Sequence, residues 1–290
     1  NVEVEHPQKN TYTFQARDVN FDYLKSEAFR QKSSKLRGSV MIVGPLLARF
    51  GYGYLPKPGG DKIGRRHLDT HFIGLKMLGA EFKFDTEESS YTINGSNLKG
   101  TYILLEEASV TGTANIVMAA VLAKGETTIF NAACEPYICQ LCTMLNNMGA
   151  NIKGAGTDVI RIKGVSELHG TEYVIIPDQI EAGTYMAVAA ATGGDLMIRN
   201  IIPRHMECIT AKLREMGVDV MKINGNTEQF LLMKYIQPAV IYTNDVVTDN
   251  PKATLQVTIM RGSHDLDHLV VSVNGKEYTT VDLTPYTKLR

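Results

Sequence analysis

Leu78-Gly79-Ala80 recurs as Met148-Gly149-Ala150 and again as Met216-Gly217-Val218, so that glycines 79, 149 and 217 stand 70 and 68 residues apart. Each triplet closes an amphipathic run. Apolar residues at helical spacing precede it: Leu68, Phe72, Leu75 and Leu78, then Ile138, Leu141, Leu145 and Met148, then Met206, Ile209, Leu213 and Met216. A glycine just past such a run suits the left-handed backbone that ends a helix, because it has no Cβ to clash. Alternating segments that read as strands follow each glycine, at 80–84, at 151–153 with 159–163, and at 218–222 with 229–233.

A second, more apolar helical run stands ahead of each amphipathic one, at 40–50, 114–123 and 183–191, and the latter two lead into strand-like 127–131 and 196–200. The unit is therefore helix, strand, helix and strand pair over about 70 residues. Units of this size do not make an open solenoid. Three of them suit a compact α/β body closed around shared buried helices, and the Ala- and Gly-rich first helices fit so tight an interior. Residues 1–36 read as the back half of a further unit, with strand-like 11–16. From about Tyr235 the repeat stops. The remainder alternates as β-structure does, at Val270, Val271 and Val273, and carries the hairpin signal Asn274-Gly275.

Bulk composition excludes several function classes. The 290 residues are 44% hydrophobic and 21% charged, as in a globular protein with a sizeable core. Thirty basic side chains face 31 acidic ones without a basic stripe, which argues against nucleic acid as a partner. An anionic ligand would be held by a few placed arginines instead. No apolar run is long enough to span a membrane, and residues 1–9 lack a signal-peptide core. Four cysteines are sparse for the length and fit a reducing compartment, so a cytoplasmic enzyme is expected. The chain does not begin with methionine, which points to a start other than the natural one.

Four clusters bear on chemistry. Pro58-Gly59-Gly60-Asp61-Lys62-Ile63-Gly64-Arg65-Arg66 interrupts the pattern with a turned backbone carrying an acid and several cations. It reads as a lid over an anionic substrate or as an ordinary polar connection. His67, Asp69 and His71 have a spacing that a metal would accept, but helix capping and surface hydrogen bonding explain them more simply. Cys139 and Cys142 form a lone Cys-x-x-Cys whose second member lies on the apolar stripe, which makes the pair core. Asp178 and Glu181 precede an apolar helix as a cap and a first-turn acid.

Five segments carry a family resemblance: Arg37 to Arg49 (RGSVMIVGPLLAR), Pro58 to Asp69 (PGGDKIGRRHLD), Ser109 to Asn115 (SVTGTAN), Asn131 to Pro136 (NAACEP) and Pro177 to Thr184 (PDQIEAGT). Together they resemble the UDP-N-acetylglucosamine 1-carboxyvinyltransferases over roughly residues 2–233. The resemblance implies an inside-out α/β barrel, the enolpyruvyl transferase fold of two similar domains of three units each, here truncated. It implies a first domain over 1–176 with an incomplete first unit, the first unit of a second domain over 177–233, and an unmatched β-rich tail over 234–290.

The implied reaction transfers enolpyruvyl from phosphoenolpyruvate to the 3′-hydroxyl of UDP-N-acetylglucosamine, the first committed step of bacterial peptidoglycan synthesis. It needs no cofactor and no metal, and no nucleic acid or membrane partner. By position, Asp61 matches the loop residue that protonates the methylene carbon, and Arg66 matches the arginine that contacts both substrates. Arg37 matches a further substrate-site arginine. His67, Leu68, Asp69 and Thr70, with Ala108, Ser109 and Val110, match the lining of the UDP-sugar, and His71 falls beside it.

Two departures qualify this picture. Most members have cysteine where Asp61 stands. An aspartate of ordinary pKa near 3.9 is ionised at neutral pH, so acting as an acid near pH 7 requires raising it by about three units, roughly 4 kcal/mol. A closed loop could supply the desolvation, while Arg66 opposes it. The family's Lys-Asn pair that holds phosphoenolpyruvate, its base aspartate and a later phosphate-binding arginine also have no counterpart here. The alternative reading is a catalytically inactive nucleotide-sugar-binding fragment of the same family.

Overall fold

The computed structural model describes residues 2–59, 68–224, 229–235, 240–243, 257–260, 268–273 and 276–282. The chain divides into two compact units, Asn1–Ile175 and Ile176–Arg290. The first opens with the antiparallel hairpin β1 (Glu3–Gln8) and β2 (Thr11–Gln15), followed by helices α1 (Phe21–Leu24) and α2 (Glu27–Ser33). Asn20 and Ser26 cap the two helices by accepting from Tyr23 and Phe29 N–H, respectively. A 3₁₀ turn over Arg37–Ile42 then leads into α3 (Val43–Phe50) and β3 (Tyr52–Pro56).

Beyond it come α4 (Asp69–Met77), β4 (Glu81–Asp85), β5 (Ser90–Asn94) and β6 (Tyr102–Leu104). The second repeat is α5 (Val110–Ala120), β7 (Glu126–Phe130), α6 (Pro136–Asn147), β8 (Asn151–Lys153) and β9 (Val159–Lys163). The other compact unit holds α7 (Gln179–Thr192), β10 (Leu196–Ile198), α8 (Glu207–Glu215), β11 (Val218–Asn224) and β12 (Gln229–Tyr235). Two hairpins complete the described chain: β13 (Val240–Thr243) with β14 (Val257–Met260), and β15 (His268–Val273) with β16 (Lys276–Asp282). The last two strands flank Asn274-Gly275, where the sequence signals a turn, though those two residues lie outside the described ones.

Sheet order makes the repeat explicit. The strands run β3-β5-β4 in the first repeat, β7-β9-β8 in the second and β10-β12-β11 in the third, antiparallel throughout. In each, the strand after the first helix pairs with the last strand, leaving the middle one at the edge. The second repeat adds β6 parallel to β7.

The three glycines that reveal the period all have left-handed backbones, with φ of 100° at Gly79, 100° at Gly149 and 87° at Gly217. At the first two, the chain end folds back through Ala80 N–H to Leu75 O and Ala150 N–H to Leu145 O, the longer of the two bonds that define this helix stop. The residue three before each glycine also tethers its helix to the residue three beyond. Lys76 lies over the Phe82 ring at 5.8 Å, Asn146 exchanges two hydrogen bonds with the Ile152 backbone, and Arg214 donates to Val220 O. Three different chemistries hold one geometry.

The first two repeats share one core in which Leu47, Leu75, Ile93, Ile116, Ile129 and Ile160 are essentially fully buried. Each such side chain contributes about 1.5–3 kcal/mol on leaving water. Small residues let the central helices approach. A Cβ on Gly44 would lie 2.6 Å from the Asn115 Oδ1, and one on Gly74 would overlap Ile116.

The third repeat differs from the expectation of one interior shared by all three. It builds its own core around Met186, Met206, Leu213 and Val218. Only Ala182, Met186 and Ala189 of α7 are buried, while Ile180, Tyr185 and Val188 are exposed, unlike the nearly all-buried α5. Met216, placed on the apolar stripe by its spacing, is also exposed, whereas Leu78 at the same capping position of the first repeat is fully buried. Among the described residues no helix is long and apolar enough to cross a membrane.

Candidate active site

The site is built where the first turns of α4 and α5 meet the 3₁₀ turn of residues 37–42. α1 and α2 carry that turn on a small cluster of Leu24, Leu46 and Tyr54, joined by Phe21 and Phe29. Arg30 on α2 reaches Glu88 at 3.6 Å, and Tyr54 donates to the same carboxylate at 2.9 Å. Arg37 thus sits half-buried on a supported backbone.

Asn115, fully buried in α5, ties the pieces together. Its Oδ1 accepts from Gly44 N–H at 2.7 Å, and its Nδ2 donates to Val40 O at 3.0 Å. Neither backbone partner can exchange roles, so the amide has one orientation. The second Nδ2 hydrogen then meets His71 Nδ1 at 3.1 Å, which makes Nδ1 an acceptor. The imidazole proton therefore resides on Nε2, 3.2 Å from Thr111 Oγ1. His71 is only 3% exposed, and burial, reinforced by the Arg37 guanidinium against the weaker pull of Glu107, holds its pKa down at about 4. It is a neutral imidazole with a fixed tautomer.

The surrounding candidates fall into groups. Thr70 donates to Glu107 at 3.0 Å, which links the start of α4 to the loop before α5. Ser109 caps α5 by accepting from Gly112 N–H at 3.2 Å, and a Cβ on Gly112 would press on the Thr70 methyl at 2.8 Å. Val110 opens α5, Leu68 packs partly on the core, and Asp69 and Ala108 are exposed. The structure thus brings Arg37, Leu68, Asp69, Thr70, His71, Ala108, Ser109 and Val110 into one neighbourhood. Asp61, Arg66 and His67 lie outside the described residues.

Both flanks of the segment 60–67 are nonetheless fixed beside this cluster. Gly59 N–H reaches Ser33 O at 3.4 Å, where Ser39 Oγ also donates, and a Cβ there would overlap the Ser34 carbonyl. Leu68 leads directly into α4.

Some expectations change. His71 is not a surface hydrogen-bonding residue, because burial against Asn115 engages its Nδ1 and Thr111 its Nε2, and no lone pair is left for a metal. Among the described residues no group of three or more metal-binding side chains assembles. Cys142 is core, with burial pushing its thiol up to about 12, whereas Cys139 is half-buried with Sγ 3.8 Å from Cys134 O. Asp178 caps α7 by accepting from Ile180 and Glu181 N–H. Sequence reasoning overlooked Thr111 and Asn115 as site residues. The available signal was an asparagine within a helix of Ala, Ile and Val.

The fold is that of the enolpyruvyl transferases. Solved structures of similar shape include the enolpyruvyl transferase NikO from Streptomyces tendae, with a TM-score of 0.58 at 16% identity over 81% of this chain and 54% of that one. EPSP synthase from Acinetobacter baumannii gives a TM-score of 0.53 at 21% identity over 81% and 53%. These establish the fold alone. The model of the family described as EPSP synthase (3-phosphoshikimate 1-carboxyvinyltransferase) matches residues 16–277, and the chain belongs to that family.

Relatives named UDP-N-acetylglucosamine 1-carboxyvinyltransferase are closer in sequence. The protein of Porphyromonas gingivalis is 54% identical over 76% of this chain and 50% of its own, and that of Bacteroides thetaiotaomicron is 53% identical over 72% and 48%. A second form from Staphylococcus aureus is 47% identical over 70% and 50%. The chain spans about half the length of the curated relatives it matches.

Proposed function

We propose that this chain carries the loop and sugar-nucleotide side of an enzyme that transfers enolpyruvyl from phosphoenolpyruvate to the 3′-hydroxyl of UDP-N-acetylglucosamine. The identity of 54% to a relative bearing that name is the observation that carries the reading. It favours the sugar nucleotide over 3-phosphoshikimate as acceptor, and the Pro58-Gly59-Gly60-Asp61 loop agrees. In the transfer, the 3′-hydroxyl gives up its proton as its oxygen bonds to C2 of phosphoenolpyruvate and C3 gains a proton. C3 then loses a proton as inorganic phosphate leaves with the C2–O bond electrons, which restores the carbon–carbon double bond. Asp61 is assigned the proton delivered to the methylene carbon, and Arg66 the contact to both substrates. Arg37 adds a guanidinium suited to phosphate oxygens. Residues 67–71 and 108–110 line the UDP-sugar.

In this reading residues 1–176 form one transferase domain, 177–233 open a second, and 234–290 lie beyond the matched repeats. The reaction would run in the cytoplasm on small molecules and supply peptidoglycan synthesis. Phosphate release from phosphoenolpyruvate that depends on UDP-N-acetylglucosamine, measured beside calorimetric binding of the sugar nucleotide, tests it. Binding without turnover supports a nucleotide-sugar-binding module instead. The absence of both removes the reading.

A further inference from the structure

Thr111 is the outward end of the buried chain that begins at Gly44 and Val40. Gly44 N–H and Val40 O fix the Asn115 amide, the amide fixes His71 as the Nε2–H tautomer, and Nε2–H points at Thr111 Oγ1. Since that hydroxyl oxygen accepts from His71, its own hydrogen is directed elsewhere. Thr111 is exposed on the first turn of α5, two residues beyond the cap Ser109 and one beyond Val110. His71 and Asn115, by contrast, are 3% and 0% exposed and cannot meet a ligand directly.

We infer that Thr111 is a ligand-facing hydrogen-bond donor for an oxygen of the sugar nucleotide, and that Asn115 and His71 are positioning residues that set its direction. The inference rests on the proposed acceptor substrate but adds a donor and a mechanism of orientation to it. Gly44 of α3, His71 of α4 and Val40 of the Arg37-bearing turn all meet the one Asn115 amide, so the His71 donor that holds the Thr111 oxygen is set by the core. A hydroxyl turned by solvent alone would lose more orientational freedom on binding than one whose oxygen is already held by His71. The charged groups that act on His71 are Arg37 and Glu107. Neither reverses the tautomer, because the Asn115 amide opposes a proton on Nδ1.

Asn115→Asp provides the sharp test. A carboxylate oxygen facing Nδ1 draws the imidazole proton there, Nε2 becomes an acceptor, and Thr111 then donates back to His71 rather than to ligand. Thr111→Val, at an exposed site, removes the hydroxyl while keeping the shape. Calorimetry with UDP-N-acetylglucosamine on the full chain should show Thr111→Val weakening binding by about 2- to 12-fold, the range for one hydrogen bond. Thr111→Ser should restore it. Asn115→Asp should weaken binding comparably, with no further loss in the double variant. Imidazole ¹⁵N spectra of the wild type should show His71 protonated at Nε2, and of Asn115→Asp at Nδ1.

Wild-type affinity in Thr111→Val, or an Nδ1–H tautomer in the wild type, overturns the inference while leaving the proposed function standing. Additive losses in the double variant overturn the positioning role. A wild-type chain that does not bind the sugar nucleotide overturns the proposed function, and the Thr111 assignment with it. If Asn115→Asp fails to fold, the wild-type tautomer and the threonine variants still decide the matter.

Discussion

Acidification should unlock the site through His71. The folded protein holds this imidazole at a pKa of about 4 against an ordinary 6.5, so between those values the unfolded chain takes up a proton that the folded chain refuses. Stability from this group is therefore complete above pH 6.5, declines as pH falls through the window from 6.5 to about 4, and levels off below it. A shift of this size amounts to about 3 kcal/mol, of which about 2 kcal/mol should be gone by pH 5. The structural cause is definite: a proton on Nδ1 would face the Asn115 amide hydrogens and the Arg37 charge. Urea unfolding followed through Ile116 and Ile129 methyl resonances reports the unit that contains His71. His71→Gln removes the titration and controls for carboxylates that titrate in the same range. The wild type should lose about 2 kcal/mol more than the variant between pH 7.5 and 5. Parallel pH profiles for the two proteins would refute the reasoning.

Other expectations follow from particular contacts. Gly44→Ala should lower stability by about 1–3 kcal/mol in thermal unfolding, because its Cβ would press on Asn115 where α3 and α5 cross. Asn146→Ala should cost about 1–3 kcal/mol by removing both bonds to the Ile152 backbone, while Lys76→Met at the matching position should change stability by less than about 1 kcal/mol. A carboxylate is a poor nucleophile towards an epoxide, so Asp61→Cys should acquire an epoxide adduct at position 61, mapped by mass spectrometry, that the wild type does not form there. If activity depends on a protonated Asp61, its rate should fall towards alkaline pH earlier than that of Asp61→Cys; a flat profile up to pH 9 would count against the acid role.

The repeat was legible because its punctuation is local. Gly79, Gly149 and Gly217 must adopt left-handed backbones wherever the chain turns from helix to strand, and the strand boundaries near 151–153 and 159–163 follow from alternation alone. The allocation of the third repeat was not legible from its periodicity, which suggested one shared interior; the placing of 177–233 in a second domain came from the family resemblance. The apolar character of α7 says that its surface suits burial, but a helix's own residues do not specify which other helices cover it. The site was half legible. Arg37, Thr70 and the 108–110 segment came from motif resemblance, whereas Asn115 and Thr111 act through contacts separated by about 40 to 75 residues in sequence. A short motif contains such residues without revealing what they touch. The expected surface role for His71 failed for the same reason, since the partner that buries it lies on another helix.

The central claim concerns chemistry at the sugar, and product analysis reaches it most directly. The full chain is incubated with UDP-N-acetylglucosamine and ¹³C-labelled phosphoenolpyruvate, and the sugar nucleotide is examined by mass spectrometry and carbon NMR. The account predicts a labelled enolpyruvyl ether on the 3′-oxygen, formed in step with released phosphate and lost in Asp61→Asn. Unmodified UDP-N-acetylglucosamine beside intact phosphoenolpyruvate would contradict it.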